Sequence, residues 1–418
     1  MAKIMVIGCG NVGSVGLRKM VQWPKVFSEI TVVTRTQEKA FKVKKAIWEK
    51  YYPGAFINIC QLDVSKRGEL ESALTKFKPD LLIHWGHPYH NLTIMEACLL
   101  CGVPYIDTAC YEREEELGFS HELQWAKDKL FKEKELLALL GAGFDPGVTN
   151  IFCAYARDYL FDEVQFVDIL DCNAGTKAEN FKFAPNFDPE INLRELKLPI
   201  RFWERGHWKE RGRLIDEHPI KFNFSYPEVG VHQTCMIYHE EMESLVKHLP
   251  HLKRIRFFMT FGDSYLWHLR VFENVGLTGI KPIMFDGREI VPIKFLKALL
   301  PKGEEFNETY KGKTCIGCVI LGIKEGKRKV VFIYQVCDHR EAFLETGGNA
   351  IGYTSAVPTV TAAKLILEGK WGKGVYGVRN TEDPAFDSKV FLEELARLGL
   401  PWKIAELKDI PGQLKKDY

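Results

Sequence analysis

The chain has 418 residues, 46% of them hydrophobic, and its 57 Lys and Arg side chains nearly balance its 55 Asp and Glu side chains. This length predicts two domains with sizeable cores, and a net charge of +2 provides no strong field for nucleic acid or a membrane surface. The sequence has no apolar run long enough to span a bilayer, and Lys3 leads into a predicted strand rather than a signal peptide. We therefore expect a soluble, cytoplasmic protein with no nucleic-acid or membrane partner.

A predicted buried strand, 3–7, opens the chain and runs into a glycine-rich GxGxxG turn. The glycines allow a tight turn, close approach of a pyrophosphate and close packing of the following helix, which we expect over 12–21. The pattern is weak alone, but here it lies between this strand and a second strand at 30–33, as a dinucleotide site requires. The residues predicted to hold the pyrophosphate at the helix N-terminus are Gly8, Gly10, Asn11, Val12 and Gly13.

The end of the second strand indicates which dinucleotide binds. An NAD site usually has an acid here for the ribose 2′-hydroxyl, whereas this chain has Thr34, Arg35 and Thr36, with Lys39 one helical turn later. Arg35 can form a forked contact with a phosphate, Thr36 can cap the next helix, and Lys39 adds a positive charge. The alternative is that Arg35 is only a solvated loop cation. Because the acid is missing, we predict that the cofactor is NADPH.

Four further strands, at 56–60, 81–84, 103–106 and 136–140, alternate with helical segments. Polar or glycine-rich residues follow each strand, at the edge where open α/β sheets bind ligands, although each motif alone is also compatible with ordinary turn chemistry. We expect Asp63 to accept a hydrogen bond from the adenine amino group. His87 is also a possible titrating group, but a loop histidine is more often structural. The other cofactor contacts predicted at these strand ends are Val64, Gly86, His87, Pro88 and Thr108.

After about residue 160 the sequence pattern changes. Strands are predicted at 164–170, 235–238, 255–259, 314–322 and 329–337, and such close spacing favours antiparallel pairing. A helix is predicted at 355–368, with Pro358 near its first turn.

These patterns predict an α/β fold in three parts. The first is a Rossmann-type doubly wound parallel sheet over 1–146. The second is an α+β domain with a mostly antiparallel sheet over 147–345, which binds substrate and forms the interface of a homodimer. The third is a C-terminal helical segment, 346–418, that returns to the first domain.

The eleven cysteines include two CxxC pairs, Cys98 with Cys101 and Cys315 with Cys318. Together the pairs could form a four-thiolate zinc site, but they lie more than 200 residues apart in apolar segments. We therefore interpret them as small buried hydrophobic residues, and we expect no metal and no disulfide.

Several motifs carry a resemblance to a known family that extends over the whole chain. The chain resembles the saccharopine dehydrogenase-like superfamily, and within it the carboxynorspermidine (carboxyspermidine) dehydrogenases. Besides the glycine-rich turn, the motifs are Asp107-Thr108-Ala109, Gly143-Phe144-Asp145-Pro146-Gly147, Asn186-Phe187 through Asn192-Leu193-Arg194-Glu195, Tyr238-His239-Glu240-Glu241, and Thr346-Gly347-Gly348-Asn349 through Pro358.

The resemblance implies NADPH-dependent reductive condensation of L-aspartate 4-semialdehyde with a diamine, putrescine or 1,3-diaminopropane, in polyamine biosynthesis. An imine forms and a hydride reduces it, giving carboxyspermidine or carboxynorspermidine. Two alternatives stay open. One is a saccharopine reductase or a homospermidine synthase-like enzyme, and the other is a non-catalytic NADPH-binding regulator.

The product joins an amino-acid head to a cationic tail, so the substrate site needs groups for both. Arg194 is the predicted carboxylate clamp, because its fork recognises that planar group, and Asn192 is assigned to the same site. Glu240 and Glu241 are predicted to bind the ammonium tail, with the aromatic face of Trp203 or Trp208. The alternatives are a solvated helix start for the glutamates and ordinary core packing for the tryptophans.

The predicted groups for proton handling are Asp107, Tyr111 and Asp145, each of which follows a strand. Asp145 could instead belong only to a turn or hold the cofactor amide. A dedicated acid is not required, because a protonated imine is already electrophilic.

Arg35→Ala tests the choice of cofactor. Losing a charge-assisted hydrogen bond costs about 1.5–3 kcal/mol, so steady-state kinetics should show the KM for NADPH rising about ten- to hundred-fold. The KM for NADH should change little, because NADH has no 2′-phosphate. An equal loss for both cofactors would contradict the assignment.

Overall fold

The computed structural model describes residues 2–50, 52–176, 183–185, 187–216 and 218–415. The β-strands of these residues are, in chain order, β1 (Ala2–Ile7), β2 (Phe27–Thr34), β3 (Ile57–Gln61), β4 (Leu81–His84), β5 (Tyr105–Asp107), β6 (Leu137–Leu140), β7 (Glu163–Asn173), β8 (Pro199–Glu204), β9 (His207–Arg213), β10 (Lys221–Tyr226), β11 (Gly230–Ile237), β12 (Arg254–Thr260), β13 (Ile283–Phe285), β14 (Arg288–Ile290), β15 (Lys313–Lys324), β16 (Lys327–Asp338), β17 (Gly377–Asn380) and β18 (Trp402–Leu407).

The helices lie between these strands. The α-helices are α1 (Asn11–Met20), α2 (Gln37–Lys50), α3 (Arg67–Phe77), α4 (Asn91–Cys101), α5 (Glu122–Trp125), α6 (Asp128–Glu133), α7 (Val148–Tyr155), α8 (Pro189–Glu195), α9 (Glu241–His248), α10 (Asp263–Asn274), α11 (Pro292–Leu299), α12 (His339–Thr346), α13 (Ala350–Leu367) and α14 (Ser388–Arg397). Short 3₁₀ turns occur at Pro88–His90, Gly303–Phe306 and Gly412–Lys415, and a π-helical turn occurs at Ala156–Leu160.

The chain divides into two compact units. Unit 1 comprises Met1–Tyr111, Phe119–Tyr155 and Gly352–Pro401, and unit 2 comprises Glu112–Gly118, Ala156–Ile351 and Trp402–Tyr418. The predicted boundaries at 146 and 345 therefore differ from this division. The tail is shared between the units, because β18 pairs with β16 in unit 2 whereas β17 pairs with β6 in unit 1.

The described strands of unit 1 form one parallel sheet with the order β17-β6-β5-β4-β1-β2-β3. The chain builds β1, β2 and β3 in one direction and then returns to place β4 on the other side of β1, which makes a topological switch point between β1 and β4. At this point Ile7 pairs with Val33 on one side and with His84 on the other. The carboxyl ends of β1, β2 and β4 therefore meet at one edge of the sheet, and the predicted doubly wound fold is confirmed.

The main sheet of unit 2 is mixed. Its path is β10-β11-β12-β7-β15-β16-β18, and β8 pairs with both β12 and β9. Among the described strands of this sheet, β12 and β7 form a parallel pair and the other pairs are antiparallel. This agrees with the predicted mostly antiparallel sheet. One face of the sheet packs a core of alternating apolar residues, among them Leu170, Phe202, Phe258 and Phe332.

Helix α13 begins earlier than the sequence pattern predicted. It starts at Ala350 rather than at Ser355, so Pro358 lies inside the helix and not near its first turn. The helix is buried over most of its length, and this packing stabilises a segment in which Pro358 has no N–H to donate. Among the described residues α13 is the one helix that is long and apolar enough to cross a membrane, but 78% of it is buried inside the structure, as is typical of a core helix.

Close packing of α1 against the residue after β4 fixes the position of the glycine-rich turn. A Cβ added to Gly16 would lie 2.1 Å from Cη2 of Trp85, and one added to Gly13 would lie 2.2 Å from the carbonyl oxygen of Gly8. Trp85 is itself held by a 3.2 Å hydrogen bond from Nε1 to Oγ1 of Thr359. Side chains larger than hydrogen therefore do not fit on this face of α1.

Gly16→Ala should lower the midpoint of thermal unfolding, because overpacking a dense core costs about 1–3 kcal/mol. Gly68→Ala in α3 is the matched control, since a Cβ there meets no atom within 4 Å and alanine is the better helix former. The control should unfold at the same or a higher temperature. A Gly16 variant as stable as the control would show that Trp85 moves away at little cost.

Candidate active site

The glycine-rich turn leaves open space at the N-terminus of α1. Gly8 has φ +98°, a value that favours glycine, and the amide of Gly8 donates to the carbonyl of Val33 at 3.1 Å. Gly10 is the N-cap and has no side chain to cover the first amides of the helix, and an added Cβ would meet no atom within 4 Å. The first turn has no acidic residue. The helix therefore presents its positive end to an open space, as an anionic pyrophosphate requires.

A buried histidine organises the turn after β4. The amide of Gly86 donates to Nδ1 of His84 at 3.3 Å, and Nε2 of His84 lies 3.1 Å from the carbonyl oxygen of His87. Burial lowers the pKa of His84 to about 3, so this ring is neutral, with Nδ1 as the acceptor and Nε2 as the donor. His84 thus holds Gly86 and His87 in place, and Pro88, which follows, is buried.

Arg35 lies exposed just beyond the end of β2. The loop backbone is held by two hydrogen bonds, from Oγ1 of Thr34 to the carbonyl of Thr36 at 3.0 Å and from Nε2 of Gln61 to the carbonyl of Arg35 at 2.9 Å. Asp63 accepts a hydrogen bond from the amide of Ser65 at 3.0 Å, which holds the pKa of Asp63 below its usual value, with a smaller effect from Arg35. The guanidinium and Asp63 thus lie near each other beside β2 and β3.

The residues of unit 1 fit NADPH. The open space at Gly10 suits the pyrophosphate, and the acid-free end of β2 with Arg35 suits a 2′-phosphate. Val64, three residues after the end of β3, is buried, and Lys39 on α2 is half-buried. The individual contacts predicted for Asn11, Val12, Thr36, Asp63 and Thr108 stay predictions.

Asp107 is a buried hydrogen-bond centre. Its carboxylate accepts from the amide of Gly141 at 2.8 Å, from Nε2 of Gln124 at 2.8 Å and from the hydroxyl of Tyr105 at 3.0 Å, and Nδ2 of Asn91 lies 3.3 Å away. Burial raises the pKa of Asp107 to about 7 despite these donors. Since the carboxylate is enclosed by protein groups, we revise its predicted role from proton transfer to positioning.

The segment after β5 is held through Asp107. Oε1 of Gln124 accepts from the amide of Tyr111 at 2.8 Å, and Nδ2 of Asn91 donates to the carbonyl of Ala109 at 2.7 Å. Gln124 therefore joins two of the predicted proton-handling residues. The third, Asp145, is half-buried in the turn before α7, where Thr149 donates to the carbonyl of Phe144 at 3.2 Å. Catalytic roles for Tyr111 and Asp145 stay predictions.

In unit 2, Arg194 binds the protein's own segment Glu112–Gly118. Its guanidinium donates to the Glu112 carboxylate at 2.5 Å and to the carbonyls of Arg113, Glu114 and Glu116 at 2.6, 3.0 and 2.5 Å. The side chain is only 2% exposed. The fork that was expected to clamp a substrate carboxylate is thus directed at Glu112 and three backbone oxygens. We revise Arg194 to a structural role.

Helices α8 and α9 bring several buried glutamates together. We call Glu112, Glu190, Glu195, Glu240 and Glu241 the acidic cluster. The side chains of Glu190, Glu240 and Glu241 are at most 7% exposed. Burial raises the pKa of Glu112 to about 7, and Glu240 and Glu190 raise it further, while Arg194 opposes them. Burial likewise raises the pKa of Glu195 to about 7, although His239 opposes it.

His239 lies between two carboxylates of the acidic cluster. Its Nδ1 contacts Oε2 of Glu241, and its Nε2 lies 3.5 Å from Oε1 of Glu195. The ring stacks on Phe257 with centroids 4.3 Å apart. Oε1 of Glu195 is buried and has no hydrogen-bond partner among the described residues. The cluster therefore keeps a buried acceptor oxygen that a cationic donor could satisfy.

Two cationic side chains pair with carboxylates of the cluster. Lys297 of α11 pairs with Glu190 at 3.1 Å and with Asp188 at 2.9 Å, and Arg194 pairs with Glu112. A buried carboxylate is stabilised by such cations, and a bound ammonium or guanidinium group would act in the same way.

The remaining predicted substrate residues are placed differently. Asn192 is buried on α8 and accepts a hydrogen bond from the hydroxyl of Tyr265. Trp203 packs edge-on against Trp208, which packs against Tyr238, with centroids 5.7 and 6.0 Å apart. Arg201 already covers Trp208 at 5.0 Å. This aromatic stack favours a packing role for Trp203. Asn186, named with the sequence motifs, lies outside the described residues.

The cysteines are free thiols, and all but Cys60 and Cys101 are buried. Burial raises the pKa of Cys98 and Cys315, and the two CxxC pairs lie in different units, on α4 and on β15. Within the described ranges no group of three or more His, Cys, Asp and Glu side chains could hold a metal ion.

The fold and the glycine-rich site of unit 1 define a dinucleotide-dependent oxidoreductase. Comparison with family models identifies the family to which this oxidoreductase belongs. Residues 4–139 match the saccharopine dehydrogenase NADP binding domain, and residues 143–400 match the saccharopine dehydrogenase C-terminal domain. The chain therefore belongs to the saccharopine dehydrogenase family, and its cofactor is NADPH, as predicted from Arg35.

Full-length relatives support this assignment. A carboxyaminopropylagmatine dehydrogenase of Synechocystis is 42% identical over 402 residues, covering 96% of this chain and 97% of the relative. Carboxynorspermidine synthases of Vibrio alginolyticus and Vibrio cholerae are each 37% identical and cover 98% of both chains. Among solved structures, saccharopine dehydrogenase from Saccharomyces cerevisiae shares the fold with a TM-score of 0.71 at 13% identity, over 97% of this chain and 100% of that one.

Several residues of these sites were not predicted from the sequence. They are His84, Asn91, Gln124, Glu112, Glu190 and Glu195. His84 acts through the turn that follows it, whereas each of the others contacts a residue that is distant in the chain. The sequence gave one signal, since Glu195 ends the Asn192-Leu193-Arg194-Glu195 motif and Glu190 precedes that motif by two positions.

The raised pKa of Glu195 predicts a specific pH dependence of stability. An exposed glutamate ionises near 4.5 and Glu195 near 7, so the folded chain binds more protons between these values. The stabilisation from protonation is complete at acid pH and is lost as the pH rises through 7. Glu195→Gln, which never ionises, should therefore show a smaller fall in thermal midpoint between about pH 5 and about pH 8 than the unmodified protein.

Glu228→Gln is the control for this measurement. A hydrogen bond from Lys403 keeps the pKa of Glu228 below its usual value, so Glu228 stays ionised throughout that range. The control should shift the midpoint equally at both pH values. An unchanged pH dependence in Glu195→Gln would show that this carboxyl is ionised when buried.

Proposed function

We propose that the protein catalyses the NADPH-dependent reductive condensation of L-aspartate 4-semialdehyde with a cationic primary amine. The amine is putrescine, 1,3-diaminopropane or agmatine, and the product is the corresponding carboxyaminopropyl amine. The observation that carries the proposal is the 37–42% identity to relatives named for such products over nearly the whole length of both chains.

The names of these relatives share one chemical unit. Adding aspartate semialdehyde to a primary amine and reducing the imine leaves a carboxyaminopropyl group on nitrogen. When this group is added to agmatine, the product is carboxyaminopropylagmatine. When it is added to 1,3-diaminopropane, the product is carboxynorspermidine. The head is therefore constant among these relatives and the amine varies.

The reaction balances in two steps. The amine nitrogen adds to the aldehyde carbon and water leaves, giving an imine. The nicotinamide of NADPH would supply a hydride to the imine carbon and leave as NADP⁺, while the imine nitrogen takes one proton from solvent and becomes a secondary amine. The protein must then bind the two substrates in register and exclude competing water.

The acidic cluster supports binding of the distal cation of the amine. Glu195 and Glu240 are buried side chains near each other, and a second ammonium or guanidinium would stabilise the ionised form of Glu195, whose pKa burial raises. Oε1 of Glu195 is buried without a hydrogen-bond partner among the described residues, although Nε2 of His239 lies 3.5 Å away, so it could accept from such a donor. We assign Glu240 and Glu195 to the amine tail and leave Arg194 outside the substrate contacts.

NADPH oxidation at saturating aspartate semialdehyde tests the proposal directly. Putrescine, 1,3-diaminopropane, agmatine and lysine are added separately, and the product of each reaction is identified by mass. Turnover with one of the first three and not with lysine supports the proposed reaction. Turnover only with lysine and a 2-oxo acid would favour a saccharopine reductase. Conversion of putrescine and the oxidised cofactor to homospermidine and ammonia, with no net oxidation of NADPH and no semialdehyde, would favour a homospermidine synthase. No turnover with any amine would contradict the proposal.

We further propose that the protein works in the cytoplasm as a homodimer. The eleven free thiols support a reducing compartment.

Glu240→Gln should weaken binding of the proposed amines selectively. Loss of a hydrogen bond to a charged group costs about 1.5–3 kcal/mol, so the KM for the preferred diamine or agmatine should rise about ten- to hundred-fold. The KM for butylamine, which has no distal cation, should change little, as should that for NADPH.

Glu243→Gln is the matched control, because Glu243 lies on the same helix and pairs with the hydroxyl of Tyr238 at 2.6 Å. This variant should leave the amine KM unchanged. If Glu240→Gln raises the KM for butylamine and the KM for the diamine in equal proportion, Glu240 does not bind the distal cation.

A further inference from the structure

His239 precedes Glu240, which is assigned to the amine tail, but has no assigned role itself. Its ring lies flat on Phe257 of β12, with centroids 4.3 Å apart and an angle of 13° between the ring planes. The side chain is only 12% exposed. Because this stacking fixes the ring, its two nitrogens face definite partners, and these partners determine which charge the ring carries.

Both ring nitrogens of His239 face carboxylates. Nδ1 contacts Oε2 of Glu241, whose side chain is fully buried. An ionised carboxylate only accepts hydrogen bonds, so Nδ1 carries a hydrogen. Nε2 lies 3.5 Å from Oε1 of Glu195, and a second proton, on Nε2, makes the ring a cation between the two carboxylates.

Further ionisable side chains lie near Glu195 on three elements. They are Glu240 and Glu241 at the start of α9, Asp171 on β7 and Tyr265 on α10. Burial, together with the three acids, raises the pKa of Glu195 to about 7, whereas His239 opposes this rise. Tyr265 stays neutral, because burial raises its pKa as well. His239 thus supplies positive charge where the three acids supply negative charge.

The separation of 3.5 Å lets His239 act on Glu195 through its charge without occupying the acceptor oxygen. Nε2 and Oε1 are too far apart for a good hydrogen bond, and Oε1 is buried without a hydrogen-bond partner among the described residues. A nearby positive charge favours the ionised form of a carboxyl group. An ionised Glu195 can therefore accept a hydrogen bond from a bound cation through Oε1.

We propose that His239 is a positioning residue of the amine site, which in its protonated form keeps Glu195 ionised for the distal cation of the amine. The inference rests on the proposed function, in which Glu195 binds the amine tail. A proton and the distal cation then compete for the same carboxyl group. At neutral pH, the charge of His239 shifts this competition in favour of the amine.

Removing the charge of His239 should have an effect that depends on pH. A neutral residue at this position lets Glu195 keep its proton to higher pH, so at neutral pH the amine has to displace that proton. At about pH 9 Glu195 is ionised with or without His239, and an ammonium or guanidinium tail, with a pKa above about 10, remains charged. A residue with only a structural role gives no such pH dependence.

His239→Gln tests the inference, because glutamine can donate a hydrogen bond to Glu241 but cannot carry a charge. The value of kcat/KM for the amine that the unmodified protein uses is measured at several pH values, at saturating NADPH and aspartate semialdehyde. Loss of a neighbouring cation raises a carboxyl pKa by about 1 or more, so the variant should lose about five-fold or more at about pH 7 and less than about two-fold at about pH 9. For butylamine, which has no distal cation, the variant should lose little at any pH.

His251→Gln is the matched control, because His251 is an exposed histidine of unit 2 that follows α9. It should match the unmodified protein at every pH. NADPH binding and the thermal midpoint show that each variant is folded. His239→Asn, which is also neutral, replaces the glutamine variant if that one does not fold.

A His239 variant that loses the same factor at every pH, the same factor for butylamine, or nothing at all overturns the inference. Such results leave the proposed reaction standing, because the unmodified protein still turns over the amine. No turnover of the unmodified protein with any amine is instead the failure of the proposed reaction, and the inference falls with it.

Discussion

The burial of negative charge on α8 and α9 is the constraint on which much of unit 2 depends. A carboxylate removed from water is costly unless a cation or several donors replace the lost hydration. Arg194 does this for Glu112 and Lys297 for Glu190, while the ring of His239 contacts Glu241. These partners come from different elements, so satisfying the glutamates also fixes α8, α11 and the segment Glu112–Gly118 relative to one another within the unit.

Unit 1 depends on steric fit rather than on charge. The glycines of α1 let the helix approach Trp85 and the turn at Gly8 so closely that no larger side chain fits. His84 at the end of β4 and Asp107 at the end of β5 then hold the backbone beside these two neighbouring strands through hydrogen bonds within the protein. Both devices shape the backbone at one edge of a parallel sheet, which is the edge where ligands bind in such folds. Both devices depend on backbone shape, which side-chain type at other positions need not supply.

The parts of the molecule that follow from local pattern were predicted well from the sequence. Strands such as β4 and β15 are continuous apolar runs, and the cofactor choice depends on Arg35 and the absence of an acid, which are adjacent in the chain. Arg194 shows where this approach fails. Its type suited a carboxylate clamp, but its partner Glu112 lies 82 residues away in the chain, so nothing local indicated that the guanidinium was already engaged.

Burial was equally hidden from the sequence. Glu195 ends the short helix α8, for which the sequence pattern predicted no element, and its side chain is 8% exposed with a pKa raised by burial. Pro358 was expected at a helix start because proline favours that position, but the helix extends five residues further towards the N-terminus, because packing around α13 outweighs the local preference. In both cases a tertiary interaction decides the outcome, and residue type and spacing alone do not predict it.

The two units therefore place different demands on sequence change. A substitution at Gly13 or Gly16 acts on shape, because an added side chain would contact the carbonyl of Gly8 or the ring of Trp85. A substitution in the acidic cluster acts on charge, because it changes the balance between buried carboxylates and the cations that pair with them, as Arg194 pairs with Glu112 and Lys297 with Glu190.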